Sequence, residues 1–146
     1  MLLKPEVEYF DYQGLQAASL RLNRTKELRM KDFKRLQIWQ LGMEIVDKVY
    51  VIIPSLPADE KFGVRSQVTR AAVSIPANIA EGNAKRSEKD KRRFVEIALG
   101  SAFELETHLI IIKNRYWVEV KAIDELIEIV RREQKMIDSF IDKLGV

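Results

Sequence analysis

Apolar residues recur at three- and four-residue intervals over residues 32–144, and four long amphipathic segments follow one another with short breaks. The first predicted helix runs from Asp32 to Ile53, where Pro54 and Pro57 stop it. Asp59 is a fair N-cap for the second, which extends to about Ala84 with Gly82 near its end. Ser87 ahead of Glu88 and Asp90 opens the third, which reaches about Tyr116. The fourth spans about Val118 to Leu144, and Gly145 closes it. Short connections between long amphipathic helices make antiparallel neighbours. The expected fold is all-α, an antiparallel up-down-up-down four-helix bundle.

The second helix carries a proline in its middle. Val64, Val68, Ala71, Ala72, Ile75 and Ile79 keep helical spacing across it. Pro76 has no N–H to donate, and its ring crowds the carbonyl of Ala72, so this helix is expected to be kinked. An uncompensated interior proline costs about 3 kcal/mol, so neighbouring side chains must support it. Arg70, Ser74, Asn78 and Glu81, with Gln67 one turn earlier, line one edge of the segment. Their structural reading is a polar network: Ser74 or Asn78 satisfies freed carbonyls, and Arg70 pairs with Glu81, Glu104 or Glu106. Their functional reading is a ligand-facing or pore-lining strip, for which the sequence names no substrate.

Two helices are greasier than one bundle requires. In the first, Leu36, Trp39, Met43, Val46, Tyr50 and Ile53 form one seam, read as the bundle core. Ile38, Leu41, Ile45 and Ile52 form a second, about 200° around the helix. In the third, Phe94, Ile97, Ala98, Ser101, Leu105, Leu109 and Ile112 face one way, while Leu99, Phe103 and Ile110 face nearly opposite. Apolar patches of that size are unusual on soluble monomers. The expectation is a homo-oligomer joined through Ile38, Leu41, Ile45, Ile52, Leu99, Phe103 and Ile110. The competing expectation is that the N-terminal extension folds back over these faces.

Composition narrows the class. The chain has 146 residues, 47% hydrophobic and 32% charged, with 6 Gly and 4 Pro, the profile of a helical protein. It divides into an N-terminal extension, residues 1–31, and a bundle domain, residues 32–146. With no cysteine, disulfides, thiolate metal sites and cysteine nucleophiles are excluded. No signal peptide or bilayer-length apolar run is seen, so a cytoplasmic protein without membrane partners is expected. The net charge of +3 is unevenly spread: residues 61–93 hold nine Lys and Arg against three Asp and Glu. Lys85, Arg86, Lys89, Lys91, Arg92 and Arg93 are the peak. They read either as a solvated helix start partly offset by Glu88 and Asp90 or as a phosphate-contacting patch.

Enzyme templates fail. His108 is the lone histidine, and its angular position suggests a hydrogen-bonded core residue. Di-iron bundles need two Glu-x-x-His motifs, which are absent. Phosphate-cradling glycine loops and nucleophile elbows are also missing. A carboxylate-only magnesium nuclease using Glu81, Glu104 and Glu106 is the remaining catalytic alternative. No catalytic residue, metal or cofactor is expected.

Leu36-Gln-Ile-Trp-Gln40, Val49-Tyr50, Val68-Thr-Arg70, the run Ala72-Val-Ser-Ile-Pro-Ala-Asn-Ile-Ala-Glu-Gly82, and Ala98-Leu-Gly-Ser-Ala102 followed by Glu104-Leu-Glu106 resemble the 23S rRNA intervening-sequence protein family. The resemblance covers about residues 32–144, and its most specific part is Ser74 to Gly82. It implies a bacterial protein forming a homopentameric barrel of four-helix bundles, with no recognised catalytic residues. It also implies kinship with accessory proteins of diversity-generating retroelements, which associate with a reverse transcriptase and nucleic acid. Family members usually begin just before the segment matching Phe33 to Leu36, so Met30 resembles the natural start. Lys26-Glu27 can be encoded by AAGGAG, a ribosome-binding sequence, so residues 1–29 are read as translated upstream sequence or a lineage-specific extension.

The combined expectation is a ring-like, non-enzymatic homo-oligomeric scaffold that binds RNA or DNA non-specifically through the six basic residues at 85–93. The alternative is a protein–protein adaptor, such as a reverse-transcriptase accessory subunit.

Overall fold

The computed structural model describes residues 12–29 and 32–146. The chain divides into two compact units, residues 1–31 and residues 32–146. The first contains α1, Tyr12–Arg29. The reading of Met30 as a start lies outside the described residues.

The second unit contains α2 (Gln37–Ile52), α3 (Val64–Ala84), α4 (Glu88–Asn114) and α5 (Val120–Lys143), joined by short 3-10 turns and loops. Among the described residues there are five α-helices and no strand, so the fold is all-α. α3 packs on α2 and α4, and α5 packs on α4 and α2. A small, partly open cavity is lined by Leu36, Ile79, Asn83, Lys91, Val95 and Phe140. It brings the start of α2, the ends of α3 and α5, and the start of α4 together.

Helix starts follow local chemistry, sometimes against expectation. Asp32 does not open α2; its Oδ1 accepts the amide of Lys34 at 3.1 Å and caps a 3-10 turn, Phe33–Arg35. α2 then begins after Leu36, which offers no side-chain cap. Asp59 sits inside another 3-10 turn, and Glu60 does the capping, its Oε2 accepting the amide of Val64 at 3.1 Å. Ser87 caps α4 as expected, accepting the amide of Asp90 at 3.1 Å.

The core corrects the assignment of faces on α2. Ile38, Leu41, Ile45 and Ile52 are buried within the chain's own core, so they are not free to join subunits. The seam expected inside is the flank: Leu36, Trp39, Val46 and Ile53 are half-buried, and Met43 and Tyr50 are exposed. Both seams are apolar, so hydrophobicity alone does not choose between them. The buried one contains Gly42, where a β-carbon would stand 3.4 Å from Glu133 Oε1 of α5 and 3.4 Å from the Pro76 β-carbon of α3. The other carries Trp39 and Tyr50, whose polar tips favour a partly wet position. On α4 the division fares better. Ala98, Ser101, Leu105, Leu109 and Ile112 are buried, whereas Phe103 and Ile110 are exposed and Leu99 is half-buried. Phe94 and Ile97, expected inside, are half-buried and exposed.

Candidate nucleic-acid interface

Side-chain partners thin the basic patch expected at the α3–α4 turn. Lys85 ends α3, and its ammonium lies 4.5 Å from the centroid of the Phe94 ring, a cation–π contact. Arg92 donates through Nε to Glu96 Oε1 at 2.8 Å, an i,i+4 pair. Lys91 corrects the expectation: it is buried, with its ammonium 3.6 Å from Glu88 Oε1. Spacing explains why. Lys91 shares the inward face of α4 with Val95, Ala98 and Ala102, so its stem packs inside. Arg86, Lys89 and Arg93 remain exposed.

The polar network is smaller than expected. Asn78 donates through Nδ2 to the Ser74 carbonyl at 2.8 Å and to Ser74 Oγ at 2.9 Å. Ser74 Oγ lies 2.8 Å from Ser101 Oγ on α4. Arg70 and Glu81 are exposed and join neither each other nor Glu104. Arg70 instead lines a cleft with Lys61, Phe62 and Arg65. Glu104 Oε1 lies 3.4 Å from Nε2 of His108, which is half-buried rather than central to the core.

The three carboxylates weighed as a magnesium site do not converge. Glu106 clamps α4 to α5, accepting from Gln134 Nε2 at 2.7 Å and Arg131 Nε at 2.7 Å. The Gln134 hydrogen bond, with help from Arg131, holds its carboxyl below the ordinary value despite some desolvation. Among the described residues no group of three or more His, Asp or Glu is placed to hold a metal ion. No described helix is long and apolar enough to cross a membrane.

Two features were missed from the sequence. Glu133 of α5 is wholly enclosed, and neither carboxyl oxygen has a hydrogen-bond partner. Burial pushes its carboxyl up to about 8, with Arg132 pulling the other way. Its position was readable, since it continues the α5 stripe of Ile123, Leu126, Ile127, Val130, Ile137 and Ile141. The second is a cleft of about 420 Å³ where Arg35, beside the start of α2, meets Arg132, Lys135 and Lys143 of α5. Leu36 and Phe140 line both this cleft and the small cavity that reaches Asn83 and Lys91. The cleft and the α3–α4 turn therefore occupy the same end of the unit.

Comparison with proteins of curated function finds no match. A crystal structure of a protein of unknown function from the S23 ribosomal protein family of Bacteroides thetaiotaomicron VPI-5482 has the same fold. Its TM-score is 0.66 at 23% identity, covering 71% of this chain and 97% of that one. Residues 34–139 match the model of the 23S rRNA-intervening sequence protein family, and they span every helix from α2 through most of α5; the chain belongs to that family.

Proposed function

We propose that this chain is a non-enzymatic scaffold that assembles as a closed homo-oligomeric ring and binds RNA or other nucleic acid without sequence preference. Each subunit is an antiparallel up-down-up-down four-helix bundle kinked at Pro76. The small cavity supports the alternating direction, because it gathers the starts of α2 and α4 with the ends of α3 and α5.

Assembly is supported by leftover apolar surface on two helices. Met43, Tyr50 and Val51 are exposed on α2, and Phe103, Ile110 and Ile111 on α4. α2 and α4 each pack on α3 and α5, which places them at opposite corners. Two different sticky faces on opposite corners favour head-to-tail contacts, which make a ring where the rotation between subunits closes. A pentamer is the ring size implied by the resemblance to the family's barrels.

The observation carrying the nucleic-acid reading is the basic end itself. Arg86, Lys89 and Arg93 are exposed at the α3–α4 turn, and the Arg35–Lys143 cleft opens at the same end. A ring repeats this end around one axis, so weak phosphate contacts gain strength through effective concentration. Phosphate contacts position a strand without reading its bases, hence the lack of sequence preference.

Fluorescence anisotropy with labelled single-stranded RNA, measured from 50 to 200 mM salt, tests this reading. Affinity should fall steeply and linearly on logarithmic axes, and Arg86→Glu/Lys89→Glu/Arg93→Glu should lower it at least tenfold. A flat salt response, or no binding at 50 mM, would overturn the nucleic-acid reading. Retention of a reverse transcriptase by a protein that ignores RNA would favour the adaptor alternative.

A further inference from the structure

We infer that the cleft between the start of α2 and the last turns of α5 is a nucleotide-binding site. Its phosphate end is set by Arg35, Arg132, Lys135 and Lys143, and its base is received by Met136 and Phe140.

The α5 side follows from helical spacing. Arg132, Lys135, Met136, Ser139, Phe140 and Lys143 recur at i, i+3, i+4, i+7, i+8 and i+11, so one stripe of the helix faces the cleft. Within it, cations stand at both ends and in the first turn, while Met136 and Phe140 lie between them, half-buried. Arg132 and Lys143 are about 16 Å apart along the axis at 1.5 Å per residue. That spread suits a ligand longer than one phosphate.

None of the four cations forms an ion pair among the described residues, and no carboxylate lines the cleft. Elsewhere in the same unit basic side chains do find acids: Lys48 with Glu44, Arg92 with Glu96, Lys113 with Asp124, and Arg131 with Glu106 and Glu128. The opposite wall adds donors. Gln37 and Ile38 line the cleft as the first two residues of α2, so their amides precede any intrahelical acceptor. Leu36, the preceding residue, supplies no side-chain cap. These amides and the positive end of a 16-residue helix favour the same ligand charge as the four side chains.

The apolar floor separates a nucleotide from a bare anion. Phe140 contributes an aromatic ring to the cleft lining, and Met136 a polarisable thioether that adapts to flat ligands. A volume of about 420 Å³ falls within the usual range for small-ligand clefts. The shared chemistry is a purine or pyrimidine carrying phosphates, whether as a free nucleotide or as a unit of single-stranded RNA. This site extends the basic-end reading, but Arg86, Lys89 and Arg93 do not line this cleft, so each set is tested by its own substitutions.

Titration calorimetry of the full chain with ATP, with pyrophosphate and with a ten-nucleotide single-stranded RNA tests the assignment. Expected is binding of ATP or the RNA at 50 mM salt that Lys135→Glu/Lys143→Glu weakens at least tenfold. Arg115→Glu/Lys121→Glu, exposed at the end of α4 and the start of α5, should leave ATP binding within twofold. Phe140→Leu, which keeps an apolar residue against the core, should weaken ATP several-fold and leave pyrophosphate unchanged; circular dichroism checks that each variant is folded. Binding of the RNA alone, lost in Lys135→Glu/Lys143→Glu, supports a nucleotide held within a strand. No binding of either probe, or binding that Lys135→Glu/Lys143→Glu leaves intact, overturns the site. Pyrophosphate matching ATP in affinity overturns the nucleotide and leaves a simple anion cleft.

Discussion

The carboxyl of Glu133 lies against Gly42: a β-carbon at position 42 would stand 3.4 Å from Glu133 Oε1 and 3.4 Å from the β-carbon of Pro76. An acid on α5, a glycine of α2 and the proline of α3 thus meet in the core. Enclosure without a partner lifts the Glu133 carboxyl from 4.5 to about 8, against the weaker pull of Arg132. Between those values the folded chain holds a proton that the unfolded chain has released. Stability is therefore greatest below the unfolded value and falls by about 1.4 kcal/mol per pH unit through the window. It levels off above the folded value, with a total loss on the order of 5 kcal/mol. Urea unfolding at pH 5, 6.5 and 8 should show this decline in the wild type and a much flatter profile in Glu133→Gln. Identical slopes for the two proteins would refute the account. Glu133→Leu should gain about 2 kcal/mol at pH 8, because no buried charge then needs accommodating.

Gly42 and Gly82 predict opposite outcomes for the same substitution. At Gly42 the nearest atoms to a β-carbon stand at 3.4–3.5 Å, ordinary contact distance. Gly42→Ala should therefore realise most of the helix-propensity gain of about 1 kcal/mol. At Gly82 a β-carbon would meet the Phe94 β-carbon at 3.0 Å and the Lys91 carbonyl oxygen at 3.2 Å. One of those contacts is backbone, so α3 and α4 must part. Gly82→Ala should cost about 1–3 kcal/mol in spite of propensity. Paired denaturation curves check the contrast, and equal effects at the two positions would contradict it.

Ser74 and Asn78, two residues either side of Pro76, join Ser101 in a hydrogen-bonded link from α3 to α4. Ser101 is buried, so removing its partner leaves a hydroxyl unsatisfied. Each of Ser74→Ala and Ser101→Ala should destabilise by about 1 kcal/mol. The double variant should cost less than the sum, because the second removal abolishes no further bond. A double-mutant cycle showing simple additivity would mean the two hydroxyls do not interact.

How far the sequence reveals this arrangement depends on which contacts are local. Ser87 as a cap, the ends of the four helices from α2 on, and the exposure of Phe103 and Ile110 follow from spacing within one segment. The inward face of α2 does not. Ile38 and Trp39 are both apolar neighbours, and which seam faces inward depends on how α2 packs on α3 and α5, which lie elsewhere in the sequence. Lys91 illustrates a different blind spot: a cation in a basic run reads as surface, yet its register with Val95 and Ala98 turns it inward. Glu133 was legible by the same register argument. The cleft was not, because Arg35 and Lys143 lie about a hundred residues apart, and only the return of α5 to the start of α2 unites them.

Ring assembly through unlike faces makes a prediction that an interface between like faces does not share. With α2 of one subunit against α4 of the next, every contact needs one intact copy of each face. Tyr50→Glu, exposed on α2, and Phe103→Glu, exposed on α4, should each convert the ring to monomers, since no subunit then offers a complete pair. Mixing the two variants should restore one contact only. The intact α2 face of the Phe103→Glu chain meets the intact α4 face of the Tyr50→Glu chain, and the growing ends are both spoiled. Native mass spectrometry of the mixture should therefore show a heterodimer and nothing larger. In a symmetric dimer built on α4 alone, Tyr50→Glu would still self-associate and the mixture would add no new species. The wild-type mass fixes the subunit count, and a wild type that stays monomeric at high concentration would remove the ring and its repeated basic end together.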